Sequence, residues 1–74
     1  MTEEAYNQRR AELADTFENA RKSKGLTYQD LANLLGKKDK SNVAKEVKSM
    51  NIKLKTLLEY SEALNLEVIV RPKE

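Results

Sequence analysis

The chain contains neither cysteine nor histidine. Disulfide stapling is thereby excluded, and so is the Cys/His zinc site that holds together many domains of this size. The same absence removes the commonest general bases and nucleophiles, and with them most routes to catalysis. No apolar run approaches the roughly 20 residues needed to cross a bilayer. Glycine occurs twice and proline once, and each falls where an element is expected to stop. No repeat, low-complexity tract or linker interrupts the 74 residues, so a single domain spanning 1–74 is expected. A domain this short lies near the lower limit at which a hydrophobic core suffices. Helix packing, self-association or both must supply the remaining stability. The start, Met1-Thr2-Glu3-Glu4, is acidic and unlike a secretory signal. A cytoplasmic protein without metal or cofactor is the expectation.

What is present is charge, and it is unevenly distributed. The net charge of +2 conceals three blocks of different sign. Residues 1–20 hold five acids against Arg9 and Arg10, a balance of −3. Residues 21–55 hold ten Lys and Arg against Asp30, Asp39 and Glu46, a balance of +7. Residues 56–74 return to −2. A basic centre between acidic ends concentrates positive potential on one part of a fold, as a polyanion binder requires. Solubility alone would instead interleave acids among the lysines.

Apolar periodicity predicts four helices and one strand. The first runs from about Glu3 to Lys24, with Tyr6, Leu13, Phe17 and Ala20 on one face. Acids in its first turn and bases in its last suit the helix dipole, and Gly25 stops it. The second starts on Thr27 as N-cap, with Asp30 closing a capping box. It buries Tyr28, Leu31, Ala32 and Leu35 and ends at Gly36. The third, capped by Asp39 or Ser41, aligns Val43, Ala44, Val47 and Met50 on its inner face. The fourth runs from about Leu54 to Leu64, with Leu54, Leu57, Leu58, Ser61 and Leu64 inward and Asn65 as its stop. Leu31, Leu35, Val47, Leu57, Leu58 and Phe17 are expected to be buried together. Residues 66–71 then alternate with β-branched side chains and predict a strand closed by Pro72.

Gly25-Leu26-Thr27, Leu31-Ala32 with Leu35-Gly36, and Leu54-Lys55-Thr56-Leu57-Leu58 leading to Glu62-Ala63-Leu64 together resemble the lambda-repressor/Cro (XRE-type) family. The resemblance covers roughly residues 13–71. It implies a mainly α, four-helix Cro/repressor-type bundle whose second and third helices form a helix-turn-helix, the remaining strand being C-terminal. The core would span 13–65 and the strand 66–71. It also implies a sequence-specific DNA-binding regulator acting as a homodimer: a repressor, an antitoxin with a toxin partner, or a phage or plasmid regulator. One departure stands out. The position after the turn glycine and the one six beyond that glycine, usually apolar in the family, hold Lys37 and Asn42. Val43 and Val47 restore an apolar face if the turn is longer and the loop at Ser49-Met50-Asn51-Ile52 shorter.

Side-chain chemistry divides the basic segment by role. Lys40, Ser41, Asn42, Lys45 and Ser49 suit base edges, since Asn bonds adenine bidentately and Lys reaches guanine acceptors. Lys37, Lys38, Lys48, Lys53 and Lys55 suit phosphates, which fix register without reading sequence. Thr27, Tyr28 and Gln29 open the second helix, where family members commonly touch the backbone. The strand has no partner in its own chain, so Leu66, Val68, Ile69 and Val70 are expected to pair with a second copy across a two-fold axis. Val68 and Val70 would then cover core, and Ile69 would lie near the partner. A near-palindromic operator would match that symmetry. Ser41 and Lys45 have the spacing of a Ser–Lys dyad, but no strained turn or oxyanion-hole glycine accompanies them, and no enzyme is expected. The alternative is a protein-interaction module or inhibitor that keeps the fold without specific DNA binding.

Overall fold

The computed structural model describes residues 1–73. It contains α1 (Glu3–Ser23), α2 (Tyr28–Leu34), α3 (Lys40–Ser49) and α4 (Leu54–Ala63), and no strand among the described residues. Each boundary has a local cause. Thr2 caps α1 by accepting from the Ala5 N–H at 3.1 Å. The capping box of α2 is complete: the Asp30 N–H donates to Thr27 Oγ1 at 3.0 Å and the Thr27 N–H donates to Asp30 Oδ2 at 2.9 Å. Asp39, rather than Ser41, caps α3. At the other ends, Gly25 (φ +68), Gly36 (φ +67) and Asn65 (φ +56) take the left-handed conformation. In each case the next residue bonds back across the last turn: Leu26 N–H to Arg21 O, Lys37 N–H to Ala32 O and Leu66 N–H to Ser61 O. These are Schellman stops, which only glycine or asparagine accepts at little cost.

Ala14 and Phe17 of α1, Leu31 and Ala32 of α2, Val43 and Val47 of α3, and Tyr60 and Leu64 of α4 form the core together with Met50. The third helix packs on both α1 and α2. Several apolar residues expected inside lie outside, for two reasons. α1 has 21 residues while the others have seven to ten, so its N-terminal half overhangs the core. Tyr6 is accordingly exposed, while Leu13, next to the buried Ala14, borders an open hollow beside Phe17 and Ser61. In α4 the buried face is rotated away from Leu54 and Leu58, both exposed, toward Tyr60, which is fully buried. Leu57, Leu35 and Tyr28 are half-buried against the core rather than enclosed. Met50 is not on α3 but caps it at φ +53, with its side chain turned into the core.

The strand expected at 66–71 does not form. After the Leu66 N–H, no main-chain hydrogen bond among the described residues ties this segment to the helices. The four helices offer no edge for it to pair with, and a lone strand has nothing to stabilise its ladder groups.

Candidate nucleic-acid interface

The start of α2 and the outer side of α3 enclose a groove of about 490 Å³, lined by Thr27, Tyr28, Gln29, Lys40, Ser41, Ala44 and Lys48. Five of those side chains belong to the residues the sequence singles out for DNA, and Tyr28 makes a sixth. On α3, Val43 and Val47 point into the core. At 100° per residue, Lys45 is therefore centred on the opposite side, with Ser41 and Lys48 on one flank and Asn42 and Ser49 on the other. All five are exposed. Lys38, Lys53 and Lys55 are exposed as well. Lys53 occupies the N-cap of α4 without a side-chain cap bond, and no acid lies in that helix's first turn.

Tyr28 is less free than its surface position suggests. Its hydroxyl donates to Glu18 Oε2. The Arg21 guanidinium lies 4.2 Å from its ring centroid and the Lys48 Nζ lies 5.7 Å from it. Arg21 also bonds Glu18 at 2.7 Å and the Leu26 carbonyl at 2.5 Å. This cluster ties the end of α1 to the start of α2. The Arg21 hydrogen bond is the main reason the Glu18 carboxyl ionises below its ordinary range. Burial, then the Glu18 bond, pushes the Tyr28 phenol up. Tyr28 thus lines the groove with its hydroxyl already engaged. Gln29 is exposed, and its amide donates to Asn33 at 3.0 Å.

Lys37 stands apart from the groove. It is half-buried, with its Nζ 3.7 Å from Glu46 Oε1 and 5.9 Å from the Tyr60 ring centroid. The Tyr60 hydroxyl donates to the same Glu46 Oε1 at 2.7 Å. Burial and that glutamate raise the Tyr60 phenol far above its ordinary value. Neither Tyr60 nor Glu46 carries a role in the sequence reading. The spacing Leu57, Tyr60, Ser61, Leu64 is a proper helical stripe, however, and would have marked Tyr60 as core.

Of the residues expected at a dimer contact, Leu66 is half-buried on the core, whereas Val68, Ile69 and Val70 are 44%, 62% and 94% exposed. Val70 therefore does not cover core as expected. Beneath the segment, a hollow of about 220 Å³ lies against Leu13, Thr16, Phe17 and Ser61. Among the described residues there is no acid cluster suited to a metal, and no helix long and apolar enough to cross a membrane. No family model, curated protein or solved structure matches the chain.

Proposed function

We propose that the protein is a sequence-specific, double-stranded DNA-binding regulator of Cro/repressor type, acting in the cytoplasm as a homodimer with α3 in the major groove. One observation carries the reading: every acid in the basic segment is already engaged. Asp30 closes the box at Thr27, Asp39 caps α3, and Glu46 is held by Tyr60 and Lys37. Lys45 and Lys48 are left on one exposed side with Ser41, Asn42 and Ser49 among them, and Lys40 is exposed at the groove. Lysines supply phosphate affinity, and Asn and Ser supply base-edge hydrogen bonds. The uncapped start of α4, with Lys53 and Lys55, is a further place where an anion lowers the energy.

The dimer would rest on the C-terminal segment. Val68, Ile69 and Val70 lie exposed with no main-chain partner among the described residues, Leu13 of α1 borders the hollow beside them, and Leu54 and Leu58 are further exposed apolar residues on α4. Pairing this segment with its own copy would satisfy the main chain and cover apolar area in one step. Two α3 helices joined this way would meet half-sites about 34 Å apart.

Titration with random duplex DNA between about 50 and 200 mM salt tests the reading, since a phosphate binder loses affinity steeply over that range. Repeated selection should then enrich a near-palindromic site. Absence of duplex affinity at the low-salt end would overturn it. The alternative, docking of a toxin or another protein, is favoured by a different feature: Leu34, 61% exposed, borders a hollow with Leu35 and Ala63 that Glu59 and Glu62 flank.

A further inference from the structure

Where the resemblance calls for an apolar residue after the turn glycine, this chain places Lys37, and the structure gives it a different task. Three side chains from three parts of the fold converge. Lys37 comes from the connection between α2 and α3, Glu46 from the middle of α3, and Tyr60 from the buried face of α4. Tyr60 is fully buried, and its hydroxyl needs an acceptor there, since an unmet buried donor is costly. Glu46 Oε1 is that acceptor at 2.7 Å, and the Lys37 ammonium sits 3.7 Å from the same oxygen. The Lys37 main-chain N–H is anchored in turn to the Ala32 carbonyl at 2.8 Å. On α3, Glu46 stands at the edge between the core-facing valines and the exposed side, one turn from Asn42 and next to Lys45. The opposite edge is met by Tyr28, whose ring lies 5.7 Å from the Lys48 Nζ.

Val43 and Val47 hold α3 against the core by apolar contact, which is non-directional and tolerates rolling of the helix about its axis. A hydrogen bond at one edge does not. With side chains at a radius of roughly 5–6 Å, a roll of about 20° displaces them by about 2 Å. Base-edge hydrogen bonds extend over only a few tenths of an ångström. We propose that Lys37, Glu46 and Tyr60 form a brace that sets the roll of α3 and so decides which of Asn42, Lys45 and Ser49 reaches a base. Lys37 and Glu46 are then positioning residues, and Lys37 makes no phosphate contact. The proposal rests on the DNA-binding reading for its consequence, but its structural content stands without it.

Tyr60→Phe is the direct test, because it removes the hydroxyl while keeping the ring and the net charge. Against a site selected with the unaltered protein, its affinity should drop about tenfold, while affinity for random duplex and the slope with salt stay the same. Lys37→Met should likewise keep the salt slope, where loss of a phosphate contact would reduce it by about one. A Tyr60→Phe variant with an unchanged ratio of selected-site to random affinity overturns the brace. Equal losses on both DNAs also overturn it, since they report a general loss of fold or charge. Backbone residual dipolar couplings along α3 separate this proposal from the DNA reading. If the unaltered protein binds no duplex, the functional reading falls, yet a changed α3 orientation in Tyr60→Phe still supports the brace and unchanged couplings overturn it.

Discussion

Two tyrosines of this chain each give their hydroxyl to a glutamate, Tyr28 to Glu18 and Tyr60 to Glu46, and each ring has a cation over it. These pairs make individual charges matter to stability. Glu18 ionises more readily when folded than its ordinary value of 4.5 allows, chiefly through Arg21. A carboxyl lowered in this way contributes stability above its unfolded pKa and loses that contribution as pH falls through the folded one. Glu18→Gln should therefore flatten the decline of the urea midpoint below about pH 4.5 and lower the midpoint at neutral pH. A decline as steep in the variant as in the original would show that Glu18 is not its source. On the proposed DNA-binding reading, the exposed residues of α3 matter to affinity for duplexes rather than to stability. Asn42→Ala and Lys45→Ala should each weaken selected-site binding by about 1–3 kcal/mol, whereas Lys38→Ala should weaken all duplexes alike. Fluorescence anisotropy on selected and random duplexes distinguishes the two patterns.

At the scale of elements, α2 is the most dependent on its neighbours. Seven residues are far too few for a helix to persist alone in water. It is held by a capping box at one end, a Schellman stop at Gly36 at the other, and Leu31 and Ala32 in the core between them. Removing the cap by Thr27→Ala should cost about 1 kcal/mol. Leu31→Ala, at a side chain with no exposure, should cost about 2–5 kcal/mol. Leu58→Ala, which alternation of leucines along α4 would have ranked with it, should cost far less because that side chain is half exposed. Urea unfolding of the three variants checks the order. Thr27, Asp30, Gly25 and Gly36 were legible in the sequence because caps and stops act within four or five residues. The inner face of α4 was ambiguous, since the stripe through Leu54 and Leu58 and the one through Tyr60 both have helical spacing; in the fold Tyr60 is the buried one and its hydroxyl meets Glu46.

At the scale of the whole molecule, the described residues form a helical core and a C-terminal segment that, beyond Leu66, makes no main-chain hydrogen bond among the described residues. If that segment meets its copy, Ile69→Pro removes one ladder donor and conflicts with its neighbours. Sedimentation should shift toward monomer, operator affinity should fall as the linked second contact is lost, and helical circular dichroism should hardly change. If the exposed leucines of α4 join the contact, Leu58→Lys should weaken association without lowering monomer stability. A proline variant that stays dimeric would move the contact onto α1 and α4.

Sequence alone determined the four helices, the capping box at Thr27 and the stops at Gly25, Gly36 and Asn65, the absence of disulfide and zinc chemistry, and a basic segment between two acidic ones. All of these depend on neighbours along the chain or on composition. Tertiary structure decided the rest. It left Tyr6 outside because a long α1 overhangs three short helices, and Leu54 and Leu58 outside because α4 turns Tyr60 inward instead. It gave Lys37 to Glu46 and Tyr60 rather than to the groove. It also denied residues 66–71 a strand, because alternation and β-branching specify a side-chain pattern, while a strand exists only where another main chain lies within hydrogen-bonding reach.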